Sequence, residues 1–216
     1  MTDTSKIALV TGASRGLGAA LAEELAARGH HVLAVARTVG ALEELDDRIR
    51  RAGGTATLAP MDVAEAPAMQ QLAQAALSRW GGLDLWAHCA VHAAPLSPAP
   101  HVDGKDWAKS VLVNMDVTRG LIALLEPLLR ARGGTALFFD DPRTGQKFFG
   151  AYGATKAGQV ALARSWQAEA GSVGPRVVIA QPAPMPTGLR ARFFPGEDRA
   201  ALTPCRTEAA RILDAL

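Results

Sequence analysis

Lys6-Ile7-Ala8-Leu9-Val10-Thr11-Gly12-Ala13-Ser14-Arg15-Gly16-Leu17-Gly18 joins an apolar run to a glycine-rich turn and then to the start of a helix. The continuous apolar content of Lys6–Thr11 predicts a buried strand that Gly12 stops. Leu17, Leu21 and Leu25 recur at i, i+4 and i+8, so Leu17–Arg28 is predicted helical, with Gly29 closing it. The same alternation continues outward. Strands are predicted at His31–Ala36, Thr55–Ala59, Asp84–Cys89, Thr135–Phe139 and Arg176–Gln181. Helices are predicted at Val39–Ala52, Ala64–Trp80, Trp107–Ala131, Ala151–Ala170 and Glu208–Leu216. That alternation calls for a parallel sheet with helices on both faces. Right-handed crossovers make it a three-layer, doubly wound α/β fold with strand order 3-2-1-4-5-6. The chain has 216 residues, enough for one such domain and few for two, so residues 1–216 are expected to form one domain. Ligands in such sheets bind beyond the carboxyl ends of the strands, near the switch between strands 1 and 4.

Composition removes several classes of function. A formal charge of +2 makes nucleic acid an unexpected partner. Two cysteines, Cys89 and Cys205, exclude a disulfide scaffold and suit a reducing, cytoplasmic setting. No apolar run approaches the roughly 18 residues of a membrane span, and Met1–Ser5 lacks the basic start of a signal peptide. His88, Cys89 and His92 alternate in direction along a strand end without a second cluster, so no metal is expected. Cys89 is expected to be a small buried side chain rather than a nucleophile.

The glycine turn between the first strand and first helix predicts a dinucleotide site. Gly12, Gly16 and Gly18 permit a tight turn and close backbone approach, while Ser14, Arg15 and Leu17 lead into a helix N-terminus that attracts pyrophosphate. The end of strand 2, Val35-Ala36-Arg37, carries no acid for a ribose 2′-hydroxyl. Arg37 and Arg15 could instead clamp a 2′-phosphate, so NADP(H) is expected. Asp62 and Val63 are placed to edge the adenine.

Tyr152, the single tyrosine, lies four residues before Lys156 at the start of a predicted helix, so both side chains share a face. An ammonium beside a phenol favours the phenolate and lowers its pKa towards useful proton transfer. Together with the glycine turn, this pair resembles the short-chain dehydrogenase/reductase family over essentially the whole chain, as an atypical bacterial member. The resemblance implies a Rossmann fold and hydride transfer between nicotinamide and a small carbonyl or alcohol. It implies Tyr152 as acid/base, Lys156 as its modulator and ribose ligand, and Asn114 as the holder of a relay water. Cys89 and Ala90 would run beneath the cofactor. Pro182, Met185 and Thr187, in Pro182-Ala183-Pro184-Met185-Pro186-Thr187, resemble the segment at its nicotinamide end. The proline-rich stretch 182–204 is expected to be the substrate loop, with Trp107, Phe148, Phe149, Met185, Phe193 and Phe194 as candidate apolar walls and Arg190 or Arg192 for an anionic group.

Three departures from the family stand out. Its usual serine after strand 5 is replaced by Asp140-Asp141, so Asp140, Asp141 or Thr144 must substitute or catalysis is impaired. A carboxylate there opposes Lys156 by raising the phenol's pKa. Its N-N-A-G after strand 4 becomes His88-Cys89-Ala90-Val91. A seventh strand is expected to be missing, leaving strand 6 as an edge for the terminal helix to cover and the substrate loop mobile. The alternative to an active enzyme is a catalytically weak nucleotide-binding sensor or scaffold. A homodimer is expected through Leu121, Leu124, Leu128, Val160, Leu162 and Trp166.

Overall fold

The computed structural model describes residues 6–171 and 174–216; Met1–Ser5, the stretch that lacks a basic start, lie outside the described residues. Six parallel strands, β1 (Lys6–Thr11), β2 (His30–Ala36), β3 (Thr55–Pro60), β4 (Leu85–His88), β5 (Thr135–Phe139) and β6 (Arg176–Ala180), form one sheet. Their order is β3-β2-β1-β4-β5-β6, as predicted. β1 pairs with β2 from Lys6–His30 to Thr11–Val35 and with β4 from Ala8–Leu85 to Thr11–His88. The strands on either side of β1 therefore diverge just past Thr11, where the chain turns into α1 (Gly16–Ala27).

Each face of the sheet has its own core, because central parallel strands are covered on both sides. On one face Ala8, Val10, Val32 and Ala34 meet α1, α2 (Val39–Arg51) and α8 (Cys205–Asp214) through Leu21, Leu25, Leu42, Leu45 and Ile212. On the other, Ile7, Leu9, Trp86 and Phe138 meet α3 (Ala66–Trp80), α5 (Val117–Arg132) and α6 (Gly150–Ala170). Trp86 packs edge-on to Phe138 at 5.2 Å, and Phe138 edge-on to Trp166 at 6.2 Å.

The long helix expected over Trp107–Ala131 is interrupted. α4 (Gly104–Val111) passes into a five-residue π-helical turn, Leu112–Asp116, before α5. Local hydrogen bonds that periodicity does not reveal flank the turn. Ser110 Oγ donates to Asp106 O and Thr118 Oγ1 to Asn114 O, contacts that loosen a helical ladder. Asn114, inside the wide turn, turns its side chain onto the loop after β4: Oδ1 accepts from His92 N at 2.7 Å and Nδ2 donates to His92 O at 2.9 Å.

The terminal helix lies against α1 and covers Val178 and Ala180 of β6 from one face of the sheet, with Glu208 accepting from Ala183 N past one end of the strand and Leu216 O accepting from Arg176 at the other. One further expectation is revised. Of the side chains expected on an outer dimer face, Leu121, Leu128, Val160 and Trp166 are buried within the chain. The amphipathic stripe identified the apolar face of each helix, and the sheet takes that face. Exposed apolar side chains on this flank are instead Trp107, Leu112 and Met115.

Candidate functional site

Beyond the carboxyl ends of β1, β4 and β5 lies a cleft of about 630 Å³. Gly12, Ser14, Arg15, Gly16, Leu17, Gly18, Arg37, Asp62, Val63, Cys89, Ala90, Tyr152, Lys156, Pro182, Met185 and Thr187 all line it. Asn114 is fully buried behind it, with Val113 taking its place on the wall. Trp107 and Phe148 are exposed away from the cleft, while Met185, Arg190 and Arg192 do face it.

The glycine turn is packed against the end of β4. A Cβ on Gly12, whose φ is +74°, would stand 2.8 Å from Ala90 N, and one on Gly18 would stand 2.2 Å from Gly12 O. These two glycines let the turn nest on Cys89-Ala90 and bring the start of α1 into the cleft. Among the described residues no side chain caps α1, and its first turn carries no acid. Its free N–H groups and positive dipole end therefore suit an anion such as pyrophosphate. Past the end of β2 Arg37, 64% exposed, lies 3.6 Å from Asp62.

Tyr152 and Lys156 stand one turn apart on α6, with Tyr152 3% and Lys156 6% exposed. Lys156 Nζ donates to Gln159 Oε1 at 2.6 Å, and Gln159 Nε2 donates to Thr118 Oγ1 at 2.9 Å. Thr118 donates its own proton to Asn114 O, so His88 Nε2, 3.0 Å away, must donate to Thr118. His88 Nδ1 then accepts from Thr11 Oγ1 at 2.8 Å, which assigns a neutral histidine with its proton on Nε2. Two runs of donors, one from Lys156 and one from Thr11, thus converge on Thr118 Oγ1 and tie the lysine to the first and fourth strands. Gln159 and Thr118 were not identified in the sequence, where nothing but helical spacing from Lys156 and Asn114 could have marked them. Burial lowers the Lys156 ammonium to about 8, against the pull of the Asp141 carboxylate. Burial, helped by the Lys156 charge, lowers His88 to about 3. Burial pushes the thiol of Cys89, which is half-buried in the cleft wall, up to about 12, which disfavours its reactive thiolate.

The expected lowering of the phenol's pKa by Lys156 is not what the geometry produces. Tyr152 Oη donates to Asp141 Oδ2 at 3.0 Å. Burial first, then the Asp141 charge and this hydrogen bond, hold the phenol well above its ordinary value, with Arg143 opposing. Of the three candidates for the serine position, Asp141 faces the tyrosine. Asp140 turns to Arg164 at 3.6 Å, and Thr144 sits in an exposed turn. Asp141 Oδ1 is held 3.0 Å from Arg143 Nε. The Arg143 guanidinium in turn lies over the Phe149 and Phe194 rings, at 5.6 and 5.2 Å.

The proline-rich segment 182–204 is tied down rather than loose. Ala183 N donates to the buried carboxylate of Glu208 at 2.8 Å, and Thr203 N to Pro184 O at 3.1 Å. Within it α7 (Gly188–Phe193) places Phe193 4.9 Å from the Tyr152 ring, and Arg190 and Glu197 form two 2.5 Å bonds. Proline spacing marked an irregular segment; Glu208 and Tyr152 lie outside it, and the Thr203–Pro184 and Arg190–Glu197 pairings within it are invisible in its composition. Among the described residues no three His, Cys, Asp or Glu side chains converge as metal ligands, and no helix is long and apolar enough to cross a membrane.

Residues 6–198 match the family model described as short chain dehydrogenase. Glycine betaine reductase ATRR of Emericella nidulans is 32% identical over 190 residues, covering 86% of this chain but 15% of that protein. A fatty acyl-CoA reductase of Acinetobacter baylyi is 31% identical over 76% of this chain and 57% of its own length. 3beta-hydroxysteroid dehydrogenase 1 of Eggerthella lenta is 31% identical over 92% of this chain and 77% of its own length. The chain therefore spans less than two thirds of the length of the first two of these relatives. Among solved structures, a short chain dehydrogenase of Escherichia coli complexed with NADPH superimposes with a TM-score of 0.85 at 27% identity, over 97% of this chain and 88% of its own. A second, from Shigella flexneri and complexed with NADP, gives 0.84 at 26% identity, over 95% and 89%.

Proposed function

The chain belongs to the short-chain dehydrogenase family, and on that premise we propose that it is an NADP(H)-dependent oxidoreductase acting on a small carbonyl or alcohol. The observation that carries this reading is the shared cleft: an uncapped helix N-terminus at one end and the Tyr152–Lys156 pair at the other. The α1 N-terminus with Ser14 and Arg15 would hold the pyrophosphate, and Arg37 the 2′-phosphate after leaving Asp62. Asp62 and Val63 would edge the adenine. Lys156, one donor spent on Gln159, would offer the others to the ribose. Cys89, Ala90, Pro182, Met185 and Thr187 would flank the nicotinamide, which supplies or takes a hydride when bound.

Tyr152 would give or take the proton of the reacting oxygen, and segment 182–204 would enclose the substrate. Asn114 would support this indirectly, by clamping the loop at His92 and offering its carbonyl to Thr118. We further propose a single domain over residues 1–216, a cytoplasmic location and a homodimer.

NADPH binding followed by fluorescence, and NADPH consumption with a carbonyl panel, test the reading. Turnover that Tyr152→Phe abolishes is expected. A second reading, a catalytically weak nucleotide-binding protein, is favoured by one observation: Tyr152 spends its proton on Asp141. Tight NADPH binding with no Tyr152-dependent turnover would decide for it.

A further inference from the structure

In this site a hydrogen-bond acceptor stands beside the tyrosine. Arg143 Nε lies 3.0 Å from Asp141 Oδ1 as an ion pair and Tyr152 donates to Oδ2, so the carboxylate faces the tyrosine as a charge-balanced acceptor. It cannot easily turn away. Its partner Arg143 lies over the Phe149 and Phe194 rings, and Phe194 is covered again by Arg190 at 4.8 Å, itself paired with Glu197. Tyr152 Oη and Asp141 Oδ2 are 3.0 Å apart, close enough for one substrate oxygen on their cleft side to contact both.

A carbonyl oxygen has no proton to give. Drawing the Tyr152 proton onto a ketone leaves Oδ2 without its donor and sets two acceptor oxygens against each other. A hydroxyl solves both problems, accepting from Tyr152 and donating to Asp141. We propose that Asp141 is a specificity-determining residue that makes the site hold the hydroxyl form of its substrate, a secondary alcohol, in preference to the carbonyl form. This deepens the oxidoreductase reading above and rests on it. A hydrogen bond to a charged group gained in one form and lost in the other corresponds to about 10- to 100-fold in affinity.

The single tyrosine supplies the test. Protein labelled with ¹³C at the tyrosine ζ carbon gives one Tyr152 signal. It is titrated with 1-phenylethanol and, separately, with acetophenone, in the presence of 2′-phospho-ADP-ribose, which fills the nucleotide groove without permitting reaction. In the wild type the alcohol should half-saturate the shift at about one tenth of the ketone's concentration or less. Asp141→Asn, which presents an N–H donor in the same shape, should reverse the order. Asp141→Ser, whose hydroxyl donates or accepts, should bring the two ligands together. Equal or tighter ketone binding in the wild type, or an order unchanged in both variants, overturns the inference and leaves the oxidoreductase reading standing. If neither compound moves the signal, Tyr152 does not receive the substrate oxygen, and that reading falls as well.

Discussion

Replacing Asp141 by Asn should release the Tyr152 phenol, and because the chain has one tyrosine its ionisation can be read without assignment. The phenol and carboxylate oxygens are 3.0 Å apart. At an effective dielectric constant of about 20, a phenolate there would repel the carboxylate by about 5 kcal/mol. The Asp141 side chain is 23% exposed and already paired with Arg143, so solvent and the guanidinium reduce this to about 2–3 kcal/mol. That corresponds to a phenolate-to-phenol ratio about 30- to 150-fold higher in Asp141→Asn at a given alkaline pH. The assay is tyrosinate absorbance near 295 nm, followed beside far-ultraviolet circular dichroism during an alkaline titration. In the wild type, phenolate should appear only as the fold is lost. In Asp141→Asn it should appear while the dichroism is still native. Superimposable curves for the two proteins would refute the argument that the carboxylate governs this phenol.

Other outcomes follow from the same geometry. His88, lowered from 6.5 to about 3, stays neutral in the fold while the unfolded chain takes up a proton, so stability should fall as pH drops from 6.5 towards 3. His88→Asn should flatten that limb by up to about 4 kcal/mol between pH 7 and pH 3.5, measured by urea melts. Lys156, lowered from 10.5 to about 8, loses its proton in the fold before the unfolded chain does, so the cofactor-free protein should gain stability from pH 8 upwards. Above about 10 the raised Tyr152 acts in the opposite sense, because the unfolded chain then ionises first. Lys156→Met should erase the rise in thermal midpoint between pH 8 and pH 10; a rise of wild-type size in the variant would contradict this. Arg37→Ala should weaken NADPH about 10- to 100-fold while changing NADH little, read by fluorescence titration of both.

How much was legible depended on whether a property is local. The βα unit at Lys6–Gly18 and the Tyr152–Lys156 spacing come from short apolar runs, the 3.6-residue helical period and glycine placement, which a chain carries within short windows, and the strand order follows from the handedness of the crossovers between the elements so found. The residues nominated for the cofactor share one cleft because a doubly wound sheet brings all its strand-to-helix turns to one end. What spacing could not show was orientation. Leu121 and Trp166 lie on apolar stripes, but a stripe does not say whether its partner is the sheet or a second chain.

The sequence by itself determined the architecture, the position of the glycine turn and the replacement of a serine by acidic residues, because each is a matter of residue type at a local spacing. Tertiary structure decided which acid meets the tyrosine, and with what charge around it. Asp141 reaches Tyr152 eleven residues away while Arg143 is fixed by rings from α7's neighbour Phe194 and from Phe149. It also decided that Lys156 is tied through Gln159, Thr118 and His88 to Thr11 at the end of β1. A phenol's proton affinity depends on burial and on charges within a few ångströms, and those distances exist only once the strands have brought remote segments together.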